Sequence, residues 1–203
     1  MNNGQLILIS APSGAGKTSL VNKALARDPN LVVAVSHTTR PRRGDEQDGV
    51  NYHFVDDDAF QNMVGANQFL EHAQVFGRCY GTSQAEVTAK QKNGTDVILE
   101  IDWQGADQVR TAVPNALSIF ILPPSIETLR ERLIKRGQDA AENIEQRLAE
   151  ARLDIKQCVR YNYVITNDHF DVALEDLLGV IRSGRLRTNT EQFSTRIQTL
   201  IKP

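Results

Sequence analysis

A chain of 203 residues, 40% apolar and 24% charged, is long enough to bury a core as one domain with insertions, without disulfide or metal staples. A formal net charge of -2 supplies no global field to attract nucleic acid or an anionic membrane surface, so any basic function has to be local. The two cysteines, Cys79 and Cys158, stand far apart and the four histidines are scattered, which gives neither a disulfide framework nor a zinc pattern and suits a reducing compartment.

The chain opens on M-N-N-G-Q and goes straight into an apolar strand, with no basic leader and no run long enough to span a membrane; a cytoplasmic protein is expected. From Leu6 to Leu20 it reads L-I-L-I-S-A-P-S-G-A-G-K-T-S-L, a buried strand, a turn of small residues and a helix start. Gly14 and Gly16 let backbone N–H groups converge on an anion, Lys17 adds a point charge, and the Thr18 hydroxyl is placed for a magnesium ion at the helix N-terminus. This is a phosphate-binding P-loop in which Ala11 stands where the pattern G-x-x-x-x-G-K-[ST] asks for its first glycine.

A helix over 18–27 and a strand over 31–36 complete a βαβ beginning. Residues 37–52, H-T-T-R-P-R-R-G-D-E-Q-D-G-V-N-Y, carry three arginines in a polar run without apolar periodicity, the mark of a functional loop. A short strand over 51–55 and a helix opened by Asp56, Asp57 and Asp58 follow; the acids are read as cap and first-turn charge rather than a metal site. Residues 68–75 alternate as a half-buried strand, 76–81 read as a turn, and Ser83 caps a helix to about Lys92.

An apolar strand over 96–101 leads into Asp102, at the strand end where α/β sheets place ligands, and a helix to about Val113. Another buried strand over 116–122 closes on Pro123-Pro124, and Ser125 caps a helix to about Arg136. Beyond the break at 137–139, residues 142–159 form a helix with Ile144, Leu148, Ala151, Ile155 and Val159 on its core stripe and Arg147, Arg152 and Lys156 opposite. A last strand over 163–166 ends at Asn167-Asp168, a helix covers 172–182, and the basic tail 184–203 has only a weak helical pattern.

Arginines complete the reading. Arg40 and Arg43 lie in the polar loop, and Arg136 and Arg147 flank the break, as though two flaps carried positive charge toward a centre. One like-charged pair at about 4 Å costs about 4 kcal/mol at an effective dielectric of 20, so two phosphate dianions held together cost on the order of 16 kcal/mol. Lys17 alone does not offset that; several arginines and a magnesium ion do, and guanidinium forks match phosphate oxygens. No general base is needed when the acceptor oxygen is already an anion, so the lack of a Ser/His/Asp or Cys/His constellation is expected.

Six ordered stretches carry a resemblance: A-P-S-G-A-G-K-T at 11–18, S-H-T-T-R-P-R-R-G at 36–44, F-L-E-H-A-Q-V-F-G-R-C-Y-G-T-S at 69–83, E-I-D-W-Q-G at 100–105, R-G-Q-D at 136–139 and I-T-N-D at 165–168. Colinear from Gln5 to about Leu186, they resemble the bacterial guanylate kinases, nucleoside monophosphate kinases that move the γ-phosphoryl of ATP to GMP with magnesium. The resemblance implies an α/β fold: a P-loop NTPase core with a parallel sheet flanked by helices (1–36, 94–124 and 157–203), a small mixed α/β GMP-binding insertion (37–93) and a helical lid region (125–156). It implies ATP contacts from Ala11, Pro12, Ser13, Gly14, Ala15, Gly16, Lys17, Thr18 and Asn167. Lys17, Arg40, Arg43, Arg136 and Arg147 would be the catalytic cations, with Arg136 and Arg147 reaching the transferring group from the lid, and Thr18 and, through water, Asp102 would serve the metal.

On the acceptor side the resemblance implies that Ser36, Arg40, Arg43, Tyr52 and Tyr80 hold the GMP phosphate, while Glu71 and Thr82 read guanine with help from Glu100 and Asp102. A carboxylate accepts from the guanine ring N–H and exocyclic amine, which adenine does not offer, and such a site rejects the wrong base by roughly 10⁴-fold or more. Four departures stand out: Ala11, Glu100 where the family often has Asp, Cys79 where a tyrosine is common, and the proline and glycine of Pro41–Gly44 one residue early. The last leaves Arg42 and Arg43 as alternatives for the second phosphate contact, with Arg43 preferred for its spacing to Tyr52. A protein-binding scaffold of the same fold would lack Lys17 and the lid arginines, and a kinase for another acceptor would have no use for Glu71 and Thr82 together with Tyr80. The substrates expected are therefore ATP and GMP, with no nucleic acid and no membrane.

Overall fold

The computed structural model describes residues 4–75, 77–92, 94–136, 141–187 and 191–202. Five strands form a parallel sheet in the order β2-β7-β1-β8-β9: β1 Leu6–Ser10, β2 Leu31–Val33, β7 Asp96–Glu100, β8 Leu117–Leu122 and β9 Tyr163–Thr166. The near-continuous apolar runs of β1, β7 and β8 suit strands covered on both faces. Ile7 and Ile9 point to the side covered by α1 (Lys17–Arg27) and α7 (Phe170–Arg185), where they pack with Leu20, Leu174 and Leu177. Leu6 and Leu8 face the side of α3 (Gln84–Gln91) and α4 (Trp103–Ala112), among Val87, Val109 and Phe120.

The second unit hangs from β2. Its four-stranded sheet runs β4-β3-β6-β5, with β3 His37–Thr38, β4 His53–Phe54, β5 Phe69–Val75 and β6 Arg78–Ser83, and α2 (Asp57–Gly65) packs against β5. The Asp56 carboxylate caps α2 by accepting from the Ala59 N–H at 2.7 Å, as the acidic triplet suggests. The expected strand over 31–36 is in fact divided. It leaves the core sheet at Val33, crosses at Ala34–Ser36 and joins the second sheet at His37, held by the Val35 N–H on Glu86 (2.7 Å) and by Lys90 on the Val33 carbonyl (2.8 Å).

The stretch read as a turn over 76–81 is also corrected: Arg78 to Ser83 is the strand β6, antiparallel to β5. That register slips between Phe69 and Glu71, a bulge that sets Glu71 opposite Thr82. Helices α5 (Ile126–Arg136) and α6 (Ala141–Lys156) pack through Leu129, Leu133, Ile144, Leu148 and Ala151. Val159 leaves the expected stripe and is 82% exposed, because α6 tightens to a 3₁₀ turn at Gln157–Arg160 and the helical period no longer returns it to the core. The weak tail pattern is helix α8 (Glu191–Ile201). No described helix is long and apolar enough to cross a membrane.

Candidate active site

The C-terminal ends of the parallel strands share one edge, where α/β sheets bind ligands. From β1 the chain turns through Ala11, Pro12, Ser13, Gly14, Ala15 and Gly16 into α1, with Lys17 and Thr18 as its first residues. Gly16 holds φ 95°, and a Cβ there would stand 2.3 Å from the Asn167 amide nitrogen, so both conformation and space demand glycine. The loop is braced from outside: Asn167, buried after β9, donates to the Ala15 carbonyl (2.7 Å), and Arg132 of α5 donates to the carbonyls of Ala15 (3.3 Å) and Asn167 (3.0 Å). Arg147 reaches the Ser13 hydroxyl at 3.3 Å, bringing α6 onto the loop. The Arg136 side chain and the residues at 137–140 lie outside the described part of the chain.

Beside the loop, the Thr18 hydroxyl donates to Glu100 at 2.9 Å, and Asp102 caps α4 by accepting from the Gly105 N–H at 2.9 Å. These are hard oxygen donors at the mouth of a phosphate loop. Among the described residues no group of three or more His, Cys, Asp or Glu has metal-holding geometry. A magnesium ion that keeps several waters and takes one or two protein oxygens together with substrate phosphates needs no such cage, so the donor set fits that ion.

Across the cleft stands the second sheet. Glu71 is 3% exposed, accepts from the Thr82 hydroxyl at 2.6 Å, and Thr82 in turn lies 3.0 Å from the Ser36 hydroxyl. Burial pushes the Glu71 carboxyl up to about 7; Thr82 opposes the rise, the Asp102 charge adds to it and Lys17 opposes it. The Glu71 carboxylate also stands against Gly105, in the first turn of the helix that Asp102 caps, so the second sheet meets the core beside that cap. Arg40 is buried, and its two terminal nitrogens grip the Glu46 carboxylate at 2.7 and 3.0 Å while its guanidinium lies 5.3 Å from the Tyr52 ring centre. The Glu46 bond raises the Arg40 guanidinium further above its ordinary value, and Arg40 holds the Glu46 carboxyl down. Tyr52 and Tyr80 have ring centres 6.0 Å apart, and burial, then Tyr80 and Glu100, raise the Tyr52 phenol, which stays a neutral donor. Arg42 spends its guanidinium on the Glu46 carbonyl, whereas the Arg43 side chain is exposed.

Three functional candidates escaped the sequence reading. Arg132, which braces the loop, looks in sequence like any charged residue on a helix. Glu46 organises the arginine loop through the Arg40 side chain, the Arg43 N–H (2.8 Å) and its own carbonyl. Asp154 lies two turns beyond Arg147 on α6, and its carboxyl is pushed up to about 6 by burial and then by Asp102 and Glu150, with Lys17 opposing. The seven-residue spacing of Arg147 and Asp154 was the available signal. A separate cavity of about 450 Å³ between Arg27, Asp28, Leu178 and Arg185 lies at the other end of α1 and contains none of these groups.

A P-loop on a parallel sheet, facing an inserted sheet that carries buried acid and arginines, defines a phosphotransferase of the P-loop class. The guanylate kinase family profile matches residues 3–184. The chain is 56% identical to the guanylate kinase of Hahella chejuensis over 192 residues, covering 95% of this chain and 92% of that protein. It is 54% identical to that of Alkalilimnicola ehrlichii over 189 residues, covering 93% of each. The crystal structure of guanylate kinase from Anaplasma phagocytophilum is similar with a TM-score of 0.77 and 32% identity, over 93% of this chain and 89% of that one. The chain belongs to the guanylate kinase family.

Proposed function

We infer that this protein transfers the γ-phosphoryl group of ATP to GMP, giving ADP and GDP, and that dGMP is also an acceptor. The observation that carries the reading is the buried Glu71 carboxylate on the second sheet, bonded to Thr82 and set against the first turn of the helix that Asp102 caps. Ionised, it accepts from the ring N–H and exocyclic amine of guanine, with Thr82 beside it; adenine presents neither donor there and leaves the carboxylate unpaired. Residues 37–93 form the GMP-binding insertion, 125–156 the lid region, and the rest the core. The free cysteines Cys79 and Cys158 and the substrates suit a cytoplasmic enzyme.

Ser36, Arg40, Arg43, Tyr52 and Tyr80 hold the acceptor phosphate, with Glu46 keeping Arg40 over the Tyr52 ring. Arg43, with an exposed side chain and the spacing to Tyr52 that suits the site, makes the second guanidinium contact in preference to Arg42, which bonds the Glu46 carbonyl. The loop from Ala11 to Thr18 wraps the donor phosphates, and Asn167 borders the adenine. Lys17 sits against the donor phosphates, and Arg136 and Arg147 reach the transferring group from the lid. Thr18 and, through water, Asp102 would hold magnesium, which would supply neutralisation of the phosphate charge. An acceptor phosphate oxygen bonds to the γ-phosphorus as the bond to the β–γ bridging oxygen breaks, and ADP takes that oxygen away. No side chain removes a proton in the step. The test is Glu71→Gln: the KM for GMP should rise at least tenfold with the KM for ATP nearly unchanged, and equal changes for both substrates would defeat the reading.

A further inference from the structure

Gly105 is the third residue of α4, in ordinary helical conformation, where alanine is the better helix former and nothing in the backbone asks for glycine. Its surroundings do. A Cβ on Gly105 would lie 2.4 Å from Glu71 Oε2 and 3.1 Å from Glu71 Cδ, while Asp102 Oδ1 would be an ordinary 3.4 Å away. The only serious obstruction among the near atoms is thus the carboxylate that reads guanine.

The helix and the strand are tied together beside this contact. Gln108 of α4 and His72 of β5, each near the contact, exchange two hydrogen bonds: Gln108 Nε2 to the His72 carbonyl at 2.7 Å and the His72 N–H to Gln108 Oε1 at 3.1 Å. The first turn of α4 is fixed by the Asp102 cap on the Gly105 N–H, and Ala106 behind it is fully buried. What can yield is the end of the Glu71 side chain. It would have to move by about 1 Å to reach van der Waals distance, which displaces the carboxylate whose other oxygen, Oε1, accepts the 2.6 Å bond from Thr82.

We propose that Gly105 is a specificity-determining residue: the space left by its missing side chain is the seat of the Glu71 carboxylate. The inference rests on the assignment of Glu71 to guanine. Gly105→Ala leaves the fold intact and displaces the reading group, so it raises the KM for GMP by about 10- to 100-fold, the scale of a misplacement of this size. The KM for ATP stays within about twofold.

The experiment is a double-mutant cycle on steady-state kinetics, with Gly105→Ala, Glu71→Asp and the two together, each checked for an unchanged unfolding midpoint. Shortening the acid by one methylene vacates the space a Cβ needs. The expected result is that Gly105→Ala alone raises the KM for GMP, yet adds less than about threefold once Glu71→Asp is present. An equal penalty in both backgrounds, or no penalty in the natural one, overturns the proposal. If Glu71→Asp by itself leaves the KM for GMP unchanged, the guanine assignment falls; if it raises that KM while Gly105→Ala does not, the assignment survives and the seat alone falls.

Discussion

Replacing Glu71 by glutamine tests the electrostatics of the acceptor pocket without touching its shape. In the folded protein burial raises this carboxyl to about 7, against 4.5 for the free group. The folded state therefore binds the proton more tightly than the unfolded one. This group's contribution to stability is most favourable below about pH 4.5, declines as pH rises and is fully lost above about 7. A shift of this size is worth about 3 kcal/mol, of which about 2 kcal/mol falls between pH 5 and pH 8. Urea unfolding of the natural protein and of Glu71→Gln at these two pH values measures it: the variant should gain about 2 kcal/mol on the natural protein between pH 5 and pH 8. If Glu71 reads guanine as proposed, GMP binding should have the opposite pH dependence, because the base would need the ionised form. About one-tenth of Glu71 is ionised at pH 6 and about nine-tenths at pH 8, so GMP affinity should rise about tenfold between them. The phosphate of GMP also titrates in this range, and Glu71→Gln, which keeps that titration, is the control. Parallel stability profiles for the two proteins would refute the reasoning, since they would mean that the buried carboxyl does not titrate where its desolvation puts it.

Lys17→Ala should abolish turnover, more than 10³-fold in kcat, while GMP binding measured by calorimetry persists; loss of both would place the lysine in folding instead. Arg132→Ala removes the donor shared by the Ala15 and Asn167 carbonyls, so the KM for ATP should rise about tenfold and stability fall by about 1–2 kcal/mol, with the KM for GMP little changed. Arg43→Ala should weaken GMP binding at least tenfold, whereas Arg42→Ala, which loses the Glu46 carbonyl and the face of the Phe54 ring, should change it less than Arg43→Ala does; the reverse order would exchange their assignments.

The core was legible because its strands are continuous apolar runs, and the loop between β1 and α1 because its chemistry fixes residue types at fixed spacing. What pairing decides was not legible. R-C-Y-G-T-S mixes glycine, charge and aromatic residues and looks like a turn until β5 lies beside it, since strand preference depends on cross-strand neighbours. The strand from Leu31 looks unbroken because the transfer to the second sheet is enforced from outside, by Glu86 and Lys90 of α3. Glu71 itself carries no local sign of burial, and only the bulge at Phe69–Glu71 sets it opposite Thr82. Arg132 was hidden for a similar reason: its partners are carbonyls 117 and 35 residues away.

The two halves of the cleft have one purpose in this account, to hold a triphosphate against a guanylate while cations from the loop, the insertion and the lid offset their repulsion. The most direct measurement is ADP release in a coupled assay with saturating Mg-ATP and, in turn, GMP, dGMP, AMP, UMP and CMP. GMP and dGMP should turn over with kcat/KM at least 10³-fold above AMP, UMP and CMP. Comparable rates on GMP and AMP, or no GDP formed at all, would contradict it.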